Sequence, residues 1–144
     1  MATSFDVIGE RAMSVIDDYK LRKLRDVSIE AFESRIDSFV LNAIPRFWQC
    51  NTSLAYDAEE RQFEADLSNL EVQILADHCV IAWWESETNV AAQIALKLKI
   101  SSSFTFNSES QNFKEKQSVL DKLREEVDRQ TTNYLLQDLS SYDY

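Results

Sequence analysis

A single glycine, a single proline and a single histidine occur in this 144-residue chain. Sheet-rich folds draw on Gly, Pro, Asn and Asp at every hairpin, so the scarcity argues for long helices joined by few tight turns. With Gly9 as the only glycine, neither a Gly-rich phosphate loop nor a Gly-x-Ser-x-Gly nucleophile elbow can be present. The lone histidine, His78, rules out a His-Glu-x-x-His metal helix. Cys50 and Cys79 are too few for a disulfide framework and read as reduced, small core residues. A zinc site built from His78, Cys50 and Cys79 is one ligand short, and helical neighbours such as 78 and 79 point about 100° apart. The same divergence separates Asp17 from Asp18, Glu59 from Glu60 and Glu125 from Glu126, so no carboxylate pair is poised for acid–base work. The expectation is no cofactor, no metal and no catalytic residue, with His78 a core or interface histidine.

Cations are scarce as well. Fifteen Lys and Arg face 25 Asp and Glu, a formal charge of −10. Phosphate backbones are gripped by clustered Lys and Arg, so nucleic-acid binding is not expected, although such acidity suits a channel through which DNA slides without sticking. No apolar run reaches the ~20 residues that span a bilayer, and no membrane partner is expected. The start, MATSFDVIGERA, lacks a basic region followed by an apolar run, so no secretion signal is read there. These features point to a cytosolic protein or to part of a particle assembled in a cytosol.

What the chain does contain is an ordinary globular composition, 44% hydrophobic and 28% charged, long enough for one domain over 1–144. Three-and-four spacing of Phe5, Ile8, Ala12, Val15, Ile16, Tyr19 and Leu24 predicts a first amphipathic helix over residues 4–24, closed by Lys20, Arg22, Lys23 and Arg25. Ser28 is placed to cap a second helix over residues 29–49, whose stripe runs through Ile29, Phe32, Ile36, Phe39, Val40, Ala43, Ile44 and Phe47. Pro45 should kink its last turn or end it early. Residues 49–60 read as a connection.

The next stretch, FEADLSNLEVQILADHCVIAWW over residues 63–84, is the most distinctive. Ser68 and Glu71 form a capping-box pattern, and Leu67 can staple against Val72. The helix behind them is apolar on nearly every side, so it must be wrapped by its own chain or by a neighbouring subunit. It continues over residues 87–99 after a possible break at Thr88 and Asn89. Residues 101–112 are polar with Phe104 and Phe106 alternating, which suggests a protruding loop or a short β-hairpin arm. A last helix over residues 111–138, with an apolar edge of Val119, Leu123, Val127, Tyr134 and Leu135, precedes a short tail over 139–144. The expected fold is all-α, a helical bundle of about four to five helices.

Aromatic residues exceed what a small helical core requires. Trp and Tyr join apolar area to a hydrogen-bonding handle and are enriched at interfaces. Trp83, Trp84, Phe104, Phe106, Phe113, Tyr142 and Tyr144 are therefore the candidate interface residues.

From about residue 28 onward the chain resembles small helical head–tail connector, or adaptor, proteins of tailed bacteriophages. The resemblance rests on an amphipathic helix ending in AIPRFWQCNTSL, the acidic run DAEERQFEADLSNLEVQILA, an apolar segment reaching Trp83 and Trp84, a further helix with a polar loop, and a final helix ending in Tyr. Ser-Ser-Ser-Phe-Thr-Phe-Asn-Ser in the loop departs from the family pattern. The resemblance implies a structural virion protein at the head–tail interface. Copies would form a ring, a dodecamer by family resemblance, beneath the portal protein, extend the DNA channel and dock the next neck or tail component. DNA would be passing cargo only. The competing reading is a soluble helical protein-binding module that acts as a monomer.

Overall fold

The computed structural model describes residues 2–16, 19–101 and 103–140. In chain order the elements are α1 (Phe5–Met13), α2 (Tyr19–Val27), α3 (Ile29–Arg46), β1 (Tyr56–Asp57), β2 (Gln62–Phe63), α4 (Asn69–Ser101) and α5 (Ser103–Ser140). The class is all-α with one short antiparallel hairpin, β1 against β2, in which Tyr56 faces Phe63 and Asp57 faces Gln62.

α4 is the centre of the molecule. The Ser68 backbone N–H donates to Glu71 Oε1 at 2.9 Å while the Glu71 N–H donates to Ser68 Oγ at 3.2 Å, the reciprocal box expected from the sequence. Beyond it Val72, Ile74, Leu75, Ala76, Cys79, Val80, Ile81 and Ala82 are each at most 8% exposed. α1, α3 and α5 supply the cover, so this half of the helix is wrapped by its own chain. Each fully buried Leu, Ile or Val here contributes about 1.5–3 kcal/mol.

α5 runs antiparallel to α4, since Tyr134 meets Glu71 near one end and Lys116 meets Glu87 near the other. Its inward face is Leu120, Leu123, Val127 and Tyr134, spaced by three, four and seven. Val119 and Leu135, expected on that edge, are each 38% exposed because Leu120 and Tyr134 take the inward positions.

Three boundaries differ from the sequence expectation. Residues 4–24 form two helices, not one: the Ser14 hydroxyl donates to the Arg11 carbonyl and the N–H groups of Val15 and Ile16 converge on Ala12, closing α1. The turn leaves Val15 61% exposed while Ile16 and Leu21 both reach the core. No break occurs at Thr88, whose hydroxyl donates back to the Trp84 carbonyl at 2.7 Å within an unbroken helix. Residues 103–112 are neither loop nor β-hairpin but the first turns of α5. Their alternation of two phenylalanines was a weaker signal than the absence of Gly and Pro, which leaves little to stop a helix there.

The hairpin sits instead in the stretch read as a connection. Asp57 Oδ1 accepts from the N–H groups of Glu59 and Glu60, which bends the chain. Arg61 holds φ 53°, a left-handed conformation of modest cost for a side-chain-bearing residue. Its guanidinium donates to both Asp37 carboxylate oxygens at 2.8 Å and to Asp6 at 2.9 Å, and lies 3.3 Å from Glu33. Those charge-assisted bonds fix the hairpin onto α1 and α3.

Candidate functional site

Two polar constellations stand out, one inside and one at the surface. Inside, Glu71 is 3% exposed. Besides the Ser68 N–H it accepts from Tyr134 Oη at 2.7 Å, Thr52 Oγ1 at 3.0 Å and Cys50 Sγ at 3.2 Å. Burial by itself would raise its carboxyl pKa, but the four donors outweigh burial and bring it down to about 2. Tyr134 Oη also accepts from the Asn51 N–H at 2.8 Å. One carboxylate thus joins the start of α4, the α3–β1 connection and the end of α5. Every donor is spoken for, so the geometry describes a tie between three segments.

The two thiols are poorly disposed to act as nucleophiles. Burial and the Glu71 carboxylate push Cys50 up to about 11, and burial with the Asp77 charge pushes Cys79 up to about 12. Cys79 is 2% exposed, while His78 points to a different side of α4. No group of three or more His, Cys, Asp or Glu able to hold a metal ion occurs among the described residues. No helix among them is long and apolar enough to cross a membrane.

The surface constellation surrounds Trp48. α3 ends with Arg46, then Phe47 is fully buried and Trp48 is 78% exposed. Consecutive side chains near a helix end diverge, so the Phe47 ring, edge-on to Tyr134 at 5.3 Å, turns Trp48 outward. A hollow of about 320 Å³ lies beside it, lined by Arg46, His78, Ile81, Arg124, Val127 and Asp128. Arg46 and Arg124 share one carboxylate, Glu85. His78 Nδ1 is buried with no hydrogen-bond partner among the described residues. Burial, then the Arg46 charge, hold His78 down at about 4, against a smaller opposing pull from Asp128, so it is neutral at pH 7.

The sequence-derived interface residues fall in three groups. Trp83 and Trp84 are half-buried against the core with their rings edge-to-face, centroids 5.1 Å apart. Phe113 is half-buried on α5. Tyr142 and Tyr144 lie outside the described residues, as do the side chains of Phe104 and Phe106, whose backbones belong to the first turns of α5. Of the seven, the structure describes the side chains of three and brings Trp83 and Trp84 together. Trp48 was legible only indirectly, through its place directly after a core phenylalanine at the end of a helix that holds Pro45 in its last turn. Arg61 and the Tyr134–Glu71 bond carried no local signal. Compared with protein-family models, curated proteins and solved structures, the chain matches none.

Proposed function

We propose that this chain is a structural assembly protein of the phage head–tail connector type. Copies form a ring beneath a portal protein, line the DNA channel and dock the next neck or tail component; by the family resemblance the ring has twelve copies. The observation that carries this reading is the ordered resemblance from residue 28 onward, sharpest over residues 63–76. Three physical features support it. The net charge of −10 suits a lumen that must release DNA. The base built on α1, α3, α4 and α5 is tied internally at Glu71 and Arg61, as a part that bears load between neighbours requires. An exposed tryptophan beside two arginines has the composition of an interface anchor.

One observation favours a second reading, a monomeric protein-binding module: the buried half of α4 is covered by its own chain and needs no neighbour. Co-expression with a portal protein from the same genome separates the two. A connector co-purifies with the portal as a ring visible by electron microscopy and countable by native mass spectrometry. A chain that stays monomeric and unbound in that experiment is not a connector.

A further inference from the structure

The face around Trp48 extends along α3. A second hollow, sharing Arg46, is lined by Arg35, Phe39 and Glu85, with the Arg35 guanidinium stacked 4.7 Å from the Phe39 ring. Across both hollows three guanidiniums, Arg35, Arg46 and Arg124, stand against two carboxylates, Glu85 and Asp128. Asp121, 3.7 Å from Arg124, brings the cluster to charge balance, and its uncompensated cation is Arg35, which pairs with no carboxylate among the described residues, on a chain whose total is −10. Trp and Arg are the residue types that dominate binding energy at interfaces.

The chain carries a surface of the opposite kind. The β1–β2 hairpin and the residues that follow hold Asp57, Glu59, Glu60, Glu64 and Asp66 in solvent, with Tyr56 44% exposed at its base. Arg61, the one cation in that stretch, is turned inward onto Asp37 and Asp6. Glu33 and Asp37 mark the side of α3 on which the hairpin sits. At 100° per residue, Arg35 and Arg46 lie on roughly the opposite side of that helix. A single subunit thus presents an acidic knob on one side and an arginine–tryptophan face on the other.

We propose that the Trp48 face receives the acidic β1–β2 hairpin of a second copy. Knob and face lie on different surfaces, so the contact is head-to-tail and leaves each pair with a free knob and a free face, which is the condition for ring growth. Arg61 holds the hairpin in place before contact, which lowers the ordering cost of association. The opposite charges steer the encounter and make it salt-sensitive. The inference rests on the ring reading above and assigns its subunit contact.

The test uses the full chain, with the portal present and absent, in sedimentation velocity and native mass spectrometry. Trp48→Ala blocks the face, and Glu59→Arg with Glu60→Arg blocks the knob. Each is expected to weaken self-association at least tenfold while the far-ultraviolet spectrum and melting curve stay those of the parent, because all three side chains are exposed. Mixing the two blocked chains leaves one working knob and one working face per pair, so discrete dimers that grow no further are expected. Arg124→Glu should weaken association likewise and regain it when combined with the Glu59→Arg, Glu60→Arg knob. Rings that form unchanged in every variant overturn the contact and leave the connector reading standing. So do variants that keep the ring but lose the portal, since the face would then belong to the portal. A parent chain monomeric under all conditions overturns the contact and the ring together.

Discussion

Tyr134 ties the end of α5 to two other segments of the interior. Its hydroxyl donates to a buried carboxylate and accepts from the Asn51 N–H, so Tyr134→Phe leaves the Asn51 donor without its partner and takes one donor from Glu71. Losing a charge-assisted bond and stranding a backbone donor should cost about 2–3 kcal/mol, read as a lower urea midpoint at unchanged slope. A loss under about 0.5 kcal/mol would mean that the tie contributes little. Trp48 is the opposite case. Trp48→Ala removes a side chain that is 78% exposed, so the melting temperature of the monomer should move by no more than a degree or two.

At the scale of elements, the α1–α3 crossing is set by the absence of a side chain. A Cβ placed on Gly9 would lie 2.5 Å from Ile36 Cγ2, on a neighbouring helix whose own packing holds that methyl. Glycine is therefore required at position 9 by close approach, with no unusual φ involved. Gly9→Ala should destabilise by about 1–3 kcal/mol through overpacking, despite the better helix propensity of alanine. In a double-mutant cycle with Ile36→Ala, which removes the clashing methyl, the cost of Gly9→Ala should shrink or change sign. Additive costs would place the strain elsewhere. The α4–α5 pair shows a second element-scale point. Its described core side chains on α4 end at Ala82, yet the helix continues for about five more turns. A helix of that length is held by its partner in the hairpin as well as by propensity.

For the whole molecule, stability should fall in two stages on acidification. His78 is held at about 4 against an ordinary 6.5, so the unfolded chain takes up that proton first and stability declines as pH drops from 6.5 towards 4. Glu71 is held at about 2 against 4.5, so its contribution is present above 4.5 and is lost as pH falls from there towards 2. Each stage is on the order of 3 kcal/mol. His78→Gln should flatten the upper stage and leave the lower one, as followed by urea unfolding at successive pH values. Because α4 is covered by its own chain, the Trp48→Ala variant, blocked from self-association, should melt at the same temperature at 1 µM and at 100 µM, on the order of a hundredfold range over which an obligate oligomer would shift.

Much of this was legible in the primary structure. Scarcity of Gly and Pro, three-and-four spacing and the Ser68–Glu71 box are local signals, acting over one helical turn, and they were sufficient for the helical class, the cap of α4 and the burial of its first half. Local periodicity misled where it was short: two alternating phenylalanines suggested a loop or β arm over residues 101–112, of which 103–112 are the first turns of α5. What surrounds α4, and what lies at the surface, needed the tertiary structure. Tyr134 meets a carboxylate 63 residues away, and Arg61 meets one 24 residues away. Such pairings are decided by how helices cross, which no spacing along the chain encodes. Phe47 and Trp48 were separable in the sequence, since only Phe47 falls on the apolar stripe, but that Phe47 meets Tyr134 while Trp48 borders an arginine-lined hollow was decided by the tertiary packing.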